Sequence, residues 1–332
     1  MADGCARDVS LVCTMLNEVN SVNGLMQSIA AQTVRPREVI IVDGGSRDGT
    51  QLHVEWWHGR LGCPLRLIEL TGATIATGRN TGVVAARCPI IAITDAGVRL
   101  DARWLEKIVA PFTDETVSVS AGFFITDPHG LFEVAMGATI LPHVDEINPA
   151  RFLPSSRSVA VRKTAWERVG GYPEWLDYCE DVVFDLALRE ARLRVAFVPD
   201  AIARFRPRGT LRAFWRQYFR YARGDGNAGL WPTRHAIRYV TYSGLLGIAL
   251  LTKHGRPVWP LVIAGAGLYL RRPYARLRPM LHVLSVPERA EAIALVPLIR
   301  AVGDVAKMCG YPVGVVWRLR HHGFGWTWRD AS

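Results

Sequence analysis

Val39-Ile40-Ile41-Val42-Asp43-Gly44-Gly45-Ser46 decides the fold class: four apolar, mostly β-branched residues run into an acid, two glycines and a helix-capping serine. The stretch predicts a strand buried on both faces, a tight turn and then a helix. Ile91-Ala92-Ile93-Thr94-Asp95-Ala96-Gly97 repeats the strand-to-acid part of it. Outward from this pair the signals alternate. Strands are expected over 9–16, 38–42, 65–70 and 89–93, with helices over 21–31, after the 43–49 turn, over 76–86 and over 102–112. That is βαβ patterning, and it implies an α/β fold with a mostly parallel open sheet and helices on both faces. Ligands of such sheets lie beyond the carboxyl ends of the strands, where Asn17-Glu18, Asp43 and Asp95 fall.

The composition, 332 residues with 49% apolar and 21% charged, allows one large domain plus an appendage and excludes a disordered chain. Charge divides it. Residues 1–200 hold 19 Lys+Arg against 25 Asp+Glu and residues 201–332 hold 21 against 5, so the two parts carry −6 and +16. A basic C-terminal part with apolar runs suits an anionic membrane surface; nucleic acid would answer the same field, but the apolar runs favour the membrane. Six scattered cysteines, with no CxxC pair, read as reduced, mostly buried thiols. Met1 to Asp8 carries two acids and no apolar core of a signal peptide, so the first domain is expected in the cytoplasm.

Two domains are expected, an α/β domain over 1–226 and a hydrophobic, basic, helical, membrane-associated region over 227–332. The apolar runs Tyr239 to Thr252 and Val258 to Leu270 flank Lys253-His254-Gly255-Arg256-Pro257. Each falls short of the roughly 20 residues of a comfortable span, which suits a re-entrant or interfacial hairpin. A pair of short tilted spans and an ordinary buried helical pair are the other arrangements. Ala292 to Val302 carries Pro297 and Arg300 and reads as interfacial or packed.

Asp43-Gly44-Gly45-Ser46 followed by Asp48-Gly49-Thr50 has two readings: a well-made strand-turn-helix, or an acid that accepts from a base or ribose while glycines let a flat ring approach. It is neither a GxGxxG fingerprint nor a P-loop, which argues against dinucleotide binding and P-loop phosphate chemistry. Asp95, a carboxylate ending an apolar strand, needs solvent, hydrogen bonds or a cation, and a divalent ion bridging a diphosphate would satisfy it; a capping Asp is the plainer account. Arg79 in Thr77-Gly78-Arg79-Asn80-Thr81-Gly82 offers a cationic fork for phosphate oxygens or is a surface charge. Glu180-Asp181 opens a helix, either as acids complementing its dipole or with Asp181 as a general base taking a proton from an acceptor hydroxyl. Leu211 to Arg223 is a basic, aromatic, amphipathic helix whose Gln217, Arg220 and Tyr221 are candidates for holding a diphosphate and an acceptor.

In that order and spacing the segments resemble the family 2 glycosyltransferases, inverting enzymes of GT-A type, over about residues 9–225. The resemblance implies nucleoside contacts at Asn17-Glu18 and Asp43, and the first metal-associated acid of a DxD element at Asp95. It implies the base of an ED motif at Asp181, with Glu180 in support, and a QxxRW-like element at Gln217, Arg220 and Tyr221. It also implies a divalent metal, Mg2+ or Mn2+, and a nucleoside-diphosphate sugar donor, UDP before GDP by family habit. Gly97 replaces the second Asp of DxD, Arg206 stands where many relatives carry a histidine near the metal, and Tyr221 replaces the tryptophan of QxxRW. The expected function is sugar transfer to a membrane-associated lipid or glycan acceptor in cell-envelope synthesis, at the cell membrane with the catalytic domain facing the cytoplasm. The alternative is a catalytically degenerate domain acting as a nucleotide- or glycan-binding membrane scaffold, with Gly97 its main support.

Overall fold

The computed structural model describes residues 5–252 and 259–331. Met1 to Gly4, the Cys5 side chain, the Lys253 to Pro257 connector and Val258, all read above, lie outside the described residues. The chain forms two compact units, one of residues 1–127 and 144–206, the other of residues 128–143 and 207–332.

The first unit is built on eight strands: β1 (Cys5–Met15), β2 (Arg35–Asp43), β3 (Leu65–Glu69), β4 (Ile90–Asp95), β5 (Val98–Leu100), β6 (Val117–Thr126), β7 (Val159–Arg162) and β8 (Arg194–Phe205). Their order in the sheet is β3-β2-β1-β4-β7-β6-β8-β5. β1 to β4 are mutually parallel where they pair, as expected, and β6 runs parallel to β8. β7 is antiparallel to both its neighbours and β5 is antiparallel to β8, so the sheet is mixed. β5 and β7, at three and four residues, are too short to show alternation in sequence.

Period-2 alternation sorts the apolar residues to two faces. On one, Leu11, Cys13, Val39 and Ile41 pack with Leu25, Met26 and Ile29 of α1 (Val22–Ala30), Val54 of α2 (Thr50–Trp56) and Trp104 of α4 (Trp104–Val109). On the other, Val12, Ile40, Val42, Ile91 and Ile93 pack with Val83 of α3 (Ile75–Ala85), Ala165 of α6 (Lys163–Arg168) and Phe184 and Leu188 of α7 (Glu180–Glu190). Gly78 and Gly82 let α3 press on β1: a Cβ at Gly78 would come within 2.8 Å of Thr14 Cγ2, and one at Gly82 would overlap Val12. The register pairs Met15 with Asp43 and Thr14 with Asp95, so the carboxyl ends of three adjacent strands are level. No disulfide links the described cysteines; Cys13 and Cys88 are buried and Cys309 is exposed.

The second unit is helical: α5 (Leu131–Ile140), α8 (Leu211–Ala228), α9 (Pro232–Thr252), α10 (Trp259–Leu281) and α11 (Val286–His322). Ala135, Met136, Phe214 and Ile299 form one core, and Leu277, Ala292 and Val296 another. α8 and α11 meet backbone to backbone, since a Cβ at Gly310 would overlap the Phe219 carbonyl and one at Gly314 the Arg223 carbonyl. The domain limit read at 226 falls inside α8, whereas the compact units divide at 206. No helix among the described residues is long and apolar enough to cross a membrane. The 292–302 run lies in the N-terminal half of α11, with Ala292, Val296 and Ile299 buried in its own unit.

Candidate active site

The level strand ends of the first unit carry the acids read from sequence, and the folded chain gives them different tasks. Asp43 is fully buried. Its Oδ2 accepts from the Gly45 and Ser46 amides at 3.1 and 2.8 Å and from Gln51 Nε2 at 2.7 Å, while Oδ1 accepts from the Ser46 hydroxyl at 2.5 Å. Four donors from its own turn and the next helix occupy this carboxylate, and Gly45 takes the left-handed φ of 97° that the turn requires. Asn17, at φ 55°, accepts from the Arg47 amide at 2.9 Å, and its own amide donates to Ser46 Oγ at 2.8 Å. The Glu18 amide donates to Thr50 Oγ1 at 2.8 Å, and the Glu18 side chain accepts from Ser21. Asn17 and Asp43 are thus both tied to Ser46 in the Gly44-Gly45-Ser46 turn, and Glu18 to Thr50 at the start of α2.

Asp95 belongs to a second constellation, centred on Arg79. The α3–β1 approach carries Arg79 inward until it is 3% exposed. Its Nη2 donates to Asp95 Oδ1 at 2.8 Å and its Nη1 to Glu180 Oε1 at 2.6 Å, and its guanidinium lies 5.2 Å from the centre of the Tyr172 ring. The end of β4 is thus tied to the first turn of α7. Cys179, at φ 67°, makes the sharp entry into that helix. Asp181 follows Glu180 on the same turn, half-buried, with Oδ1 accepting from the Val182 amide at 2.9 Å.

The electrostatics separate these carboxylates. Desolvation pushes Asp95 up, but Arg79 and then Arg157, whose Nε is 3.7 Å from Oδ2, outweigh it, so the carboxyl is held below its ordinary value. Glu180 goes the other way: burial, then the charge of Asp181, outweighs Arg79 and raises it to about 7. One turn on, Asp185 is buried with Oδ2 lacking a hydrogen-bond partner, and burial followed by Asp181 drives it well up. An ionised acid beside one that favours its proton is a usual acid–base arrangement.

Arg157, Tyr172 and Asp185 were not singled out by sequence. Arg157 sits in an undistinguished polar stretch, held where the Thr94 hydroxyl donates to its carbonyl at 2.9 Å. Tyr172, fully buried, shares a hydrogen bond with Ser156 Oγ at 3.0 Å. Asp185 follows Asp181 at helical spacing, the one signal that places both on a single face. Arg206 is exposed just beyond Phe205, the partner of Val98 in the sheet, three residues from Asp95 in sequence.

Gln217, Arg220 and Tyr221 belong to the second unit, on α8. Gln217 Nε2 donates to Tyr221 Oη at 2.7 Å, Gln217 Oε1 is buried with no partner, and Arg220 is exposed. Among the described residues no group of three or more His, Cys, Asp or Glu is placed to hold a metal. Asp95, with 29% of its side chain exposed, remains as a single carboxylate. That donor set fits an ion shared with a ligand's phosphates, the way Mg2+ is commonly bound, and does not fit a cage made by the protein alone.

The family model for glycosyl transferase family 2 matches residues 10–168, which spans β1 to α6 and includes Asp43, Arg79 and Asp95. Residues 10–168 belong to glycosyl transferase family 2. The pre-mycofactocin glycosyltransferase of Mycobacterium tuberculosis is 26% identical over 288 residues, 79% of this chain and 51% of that protein. The dodecaprenyl-phosphate galacturonate synthase of Rhizobium johnstonii is 32% identical over 131 residues, 38% of each chain. The chain spans about half the length of the first of these relatives. A solved mannosyltransferase from Pyrobaculum calidifontis, in complex with GDP-Man and Mn2+, superposes with a TM-score of 0.55 at 22% identity, covering 94% of this chain and 87% of that one. The family 2 domain therefore has the expected GT-A-like fold, with a mixed sheet, and Glu180-Asp181 lies beyond the stretch that the family model matches.

Proposed function

We propose that the chain is an inverting glycosyltransferase that moves a sugar from a nucleoside-diphosphate donor to a membrane-associated lipid or glycan acceptor. The observation that carries the reading is the Arg79 bridge, which ties the strand-end acid Asp95 to the helix turn bearing Asp181. Asp181 takes the proton from the acceptor hydroxyl as the hydroxyl oxygen attacks the anomeric carbon and the diphosphate leaves from the opposite face. Arg79 holds the two acids in register, and Arg157 sets positive charge beside Asp95. Asn17, Glu18 and the turn shaped by Asp43 offer a nucleoside rim, while Gln217, Arg220 and Tyr221 are assigned to the diphosphate and acceptor. A divalent ion, Mg2+ or Mn2+, held by Asp95 together with the donor diphosphate would neutralise the leaving group. The relatives' printed names, which include a polyprenyl-phosphate sugar synthase, and the GDP-Man and Mn2+ of the solved neighbour support this donor and acceptor chemistry. A UDP-sugar comes first by family habit. The +16 charge of residues 201–332 and the exposed Ile237, Val240 and Leu268 support a place at the inner face of the cell membrane, without nucleic acid as partner.

Thermal melting with UDP, GDP, ADP and TDP, each with and without Mn2+, tests the reading. One nucleotide at 100 times its dissociation constant stabilises by about 2.7 kcal/mol, a resolvable shift. Asp181→Asn is expected to keep that shift while sugar transfer falls by at least about 100-fold. Nucleotide binding by a wild type that transfers no sugar to any lipid or glycan acceptor supports the scaffold reading, which Gly97 favours, and retained turnover in Asp181→Asn removes the base assignment.

A further inference from the structure

The helical unit contains a cluster of charge that the transfer reaction leaves unused. Asp304 on α11 is 7% exposed, and both its oxygens are occupied. Arg238 Nε of α9 donates to Oδ1 at 3.0 Å, with Lys307 Nζ 3.9 Å from the same oxygen; the Tyr242 hydroxyl donates to Oδ2 at 3.4 Å, joined there by the Tyr269 hydroxyl. Arg300, one turn before Asp304 on α11, has its guanidinium 4.6 Å from the centre of the Tyr269 ring. Its Nε is buried without a hydrogen-bond partner, and among the described residues no carboxylate pairs with it. The nearby His235 is already engaged by Asp225 at 3.1 Å.

Two cations thus meet one carboxylate, and a third, Arg300, stacks on the tyrosine bonded to it. A buried cation surplus is costly unless an anion completes it. The strain is visible on two of the three: burial, and then Arg238 with Arg276, lowers Arg300, and burial lowers Lys307 to about 8 in spite of Asp304. The cluster is open to solvent, since the Arg238 and Lys307 side chains are 18% and 25% exposed. A phosphate monoester carries about −1.5 to −2 charges at neutral pH, which matches a surplus of two, and its oxygens suit guanidinium forks. We infer that Arg238, Arg300 and Lys307 form a binding site for a phosphate monoester. The three helices of the cluster, α9, α10 and α11, also expose Val240, Leu268 and Val305, so the unit offers apolar surface as well as charge, which suits a phosphate carried on a lipid as well as a soluble ester. The site does not depend on the sugar-transfer reading, and its assay contains no sugar nucleotide.

The test uses the full chain. Inorganic phosphate is titrated against chloride at matched ionic strength, followed by thermal melting and by 31P line broadening. In parallel, sedimentation compares vesicles of phosphatidylcholine with phosphatidate, a monoester, against vesicles with phosphatidylglycerol, a diester, at equal surface charge. Phosphate is expected to raise the melting temperature and broaden the 31P line. Arg300→Met and Lys307→Met should each weaken that binding by about 10- to 100-fold, the loss of one charge-assisted contact. Preference for phosphatidate that disappears in both variants identifies a lipid source; phosphate binding without vesicle preference identifies a soluble ester. Arg300→Lys, which keeps the charge and loses the fork, should bind in between, and it guards against a variant that fails to fold. Equal responses to phosphate and chloride with no preference among vesicles, or wild-type phosphate binding in folded Arg300→Met, overturn the inference.

Discussion

Arg79 links residues that lie 16 and 101 positions away in sequence, and its burial follows from those partners and not from its neighbours in the chain. Two glycines beside it draw α3 onto β1, and the guanidinium then meets Asp95 and Glu180 where water is largely excluded. Removing one partner of such a network strands the other charges. Arg79→Met is therefore expected to cost about 3–5 kcal/mol in chemical denaturation, with Arg79→Lys between it and the wild type because an ammonium lacks the fork. An unchanged midpoint in Arg79→Met would show that the two acids are held by something else. Sequence located Asp95 and Glu180-Asp181 because a strand end and a helix start are local signals. It left Arg79 open between phosphate ligand and surface charge, and passed over Arg157 and Asp185, because the contacts that give these residues meaning are long-range. Asp43 reads both ways in sequence; its four donors account for the turn, and the nucleoside role stays with the proposed function.

Elements followed the same rule. β1 to β4 carry apolar, β-branched runs bounded by turn signals, α1 to α4 fill the stretches between and after them, and all appear close to the expected limits, whereas β5 and β7 are too short to announce themselves and make the sheet mixed. In the second unit, α8 and α11 are joined through glycines that composition alone cannot distinguish from flexible ones. Gly310→Ala gains helix propensity of up to about 1 kcal/mol, yet the added methyl would strike the backbone carbonyl of Phe219, which cannot rotate aside. The overlap should win, for a net loss of about 1–3 kcal/mol. Gly265→Ala on α10, where a Cβ meets nothing within 4 Å, should instead be neutral or stabilising by up to about 1 kcal/mol. Melting both variants side by side checks the pair, and equal effects would contradict the packing described for α11.

On the scale of the whole molecule, the charge surplus around Asp304 gives stability a pH dependence of defined sign. Lys307 is lowered from 10.5 to about 8, first by burial, with Arg238 and Arg300 adding to it and Asp304 opposing. Below pH 8 the group is charged in both folded and unfolded chains, and the cost of burying that charge is fully present. Between about pH 8 and 10.5 the unfolded chain binds more protons than the folded one, so stability rises with pH, by a total on the order of 3 kcal/mol. Denaturant midpoints of the wild type relative to Lys307→Met should converge across that window, and a constant difference would refute the burial of this charge.

The division of the chain into units has a temporal side as well. Pro128–His143 folds with residues 207–332, although it is made before β7, α6, α7 and β8. During synthesis α5 emerges 146 residues ahead of the first residue of α11, whose side chains share its core, an interval of roughly 7 to 30 s at ordinary translation rates. Until α8 begins, 71 residues after the end of α5, a helix containing Leu, Phe, Val and Met has no partner from its own unit, and until α11 emerges its core is incomplete. The nascent chain is therefore most exposed to chaperones, to a nearby bilayer and to aggregation while the strands that complete the first unit's sheet are still being made.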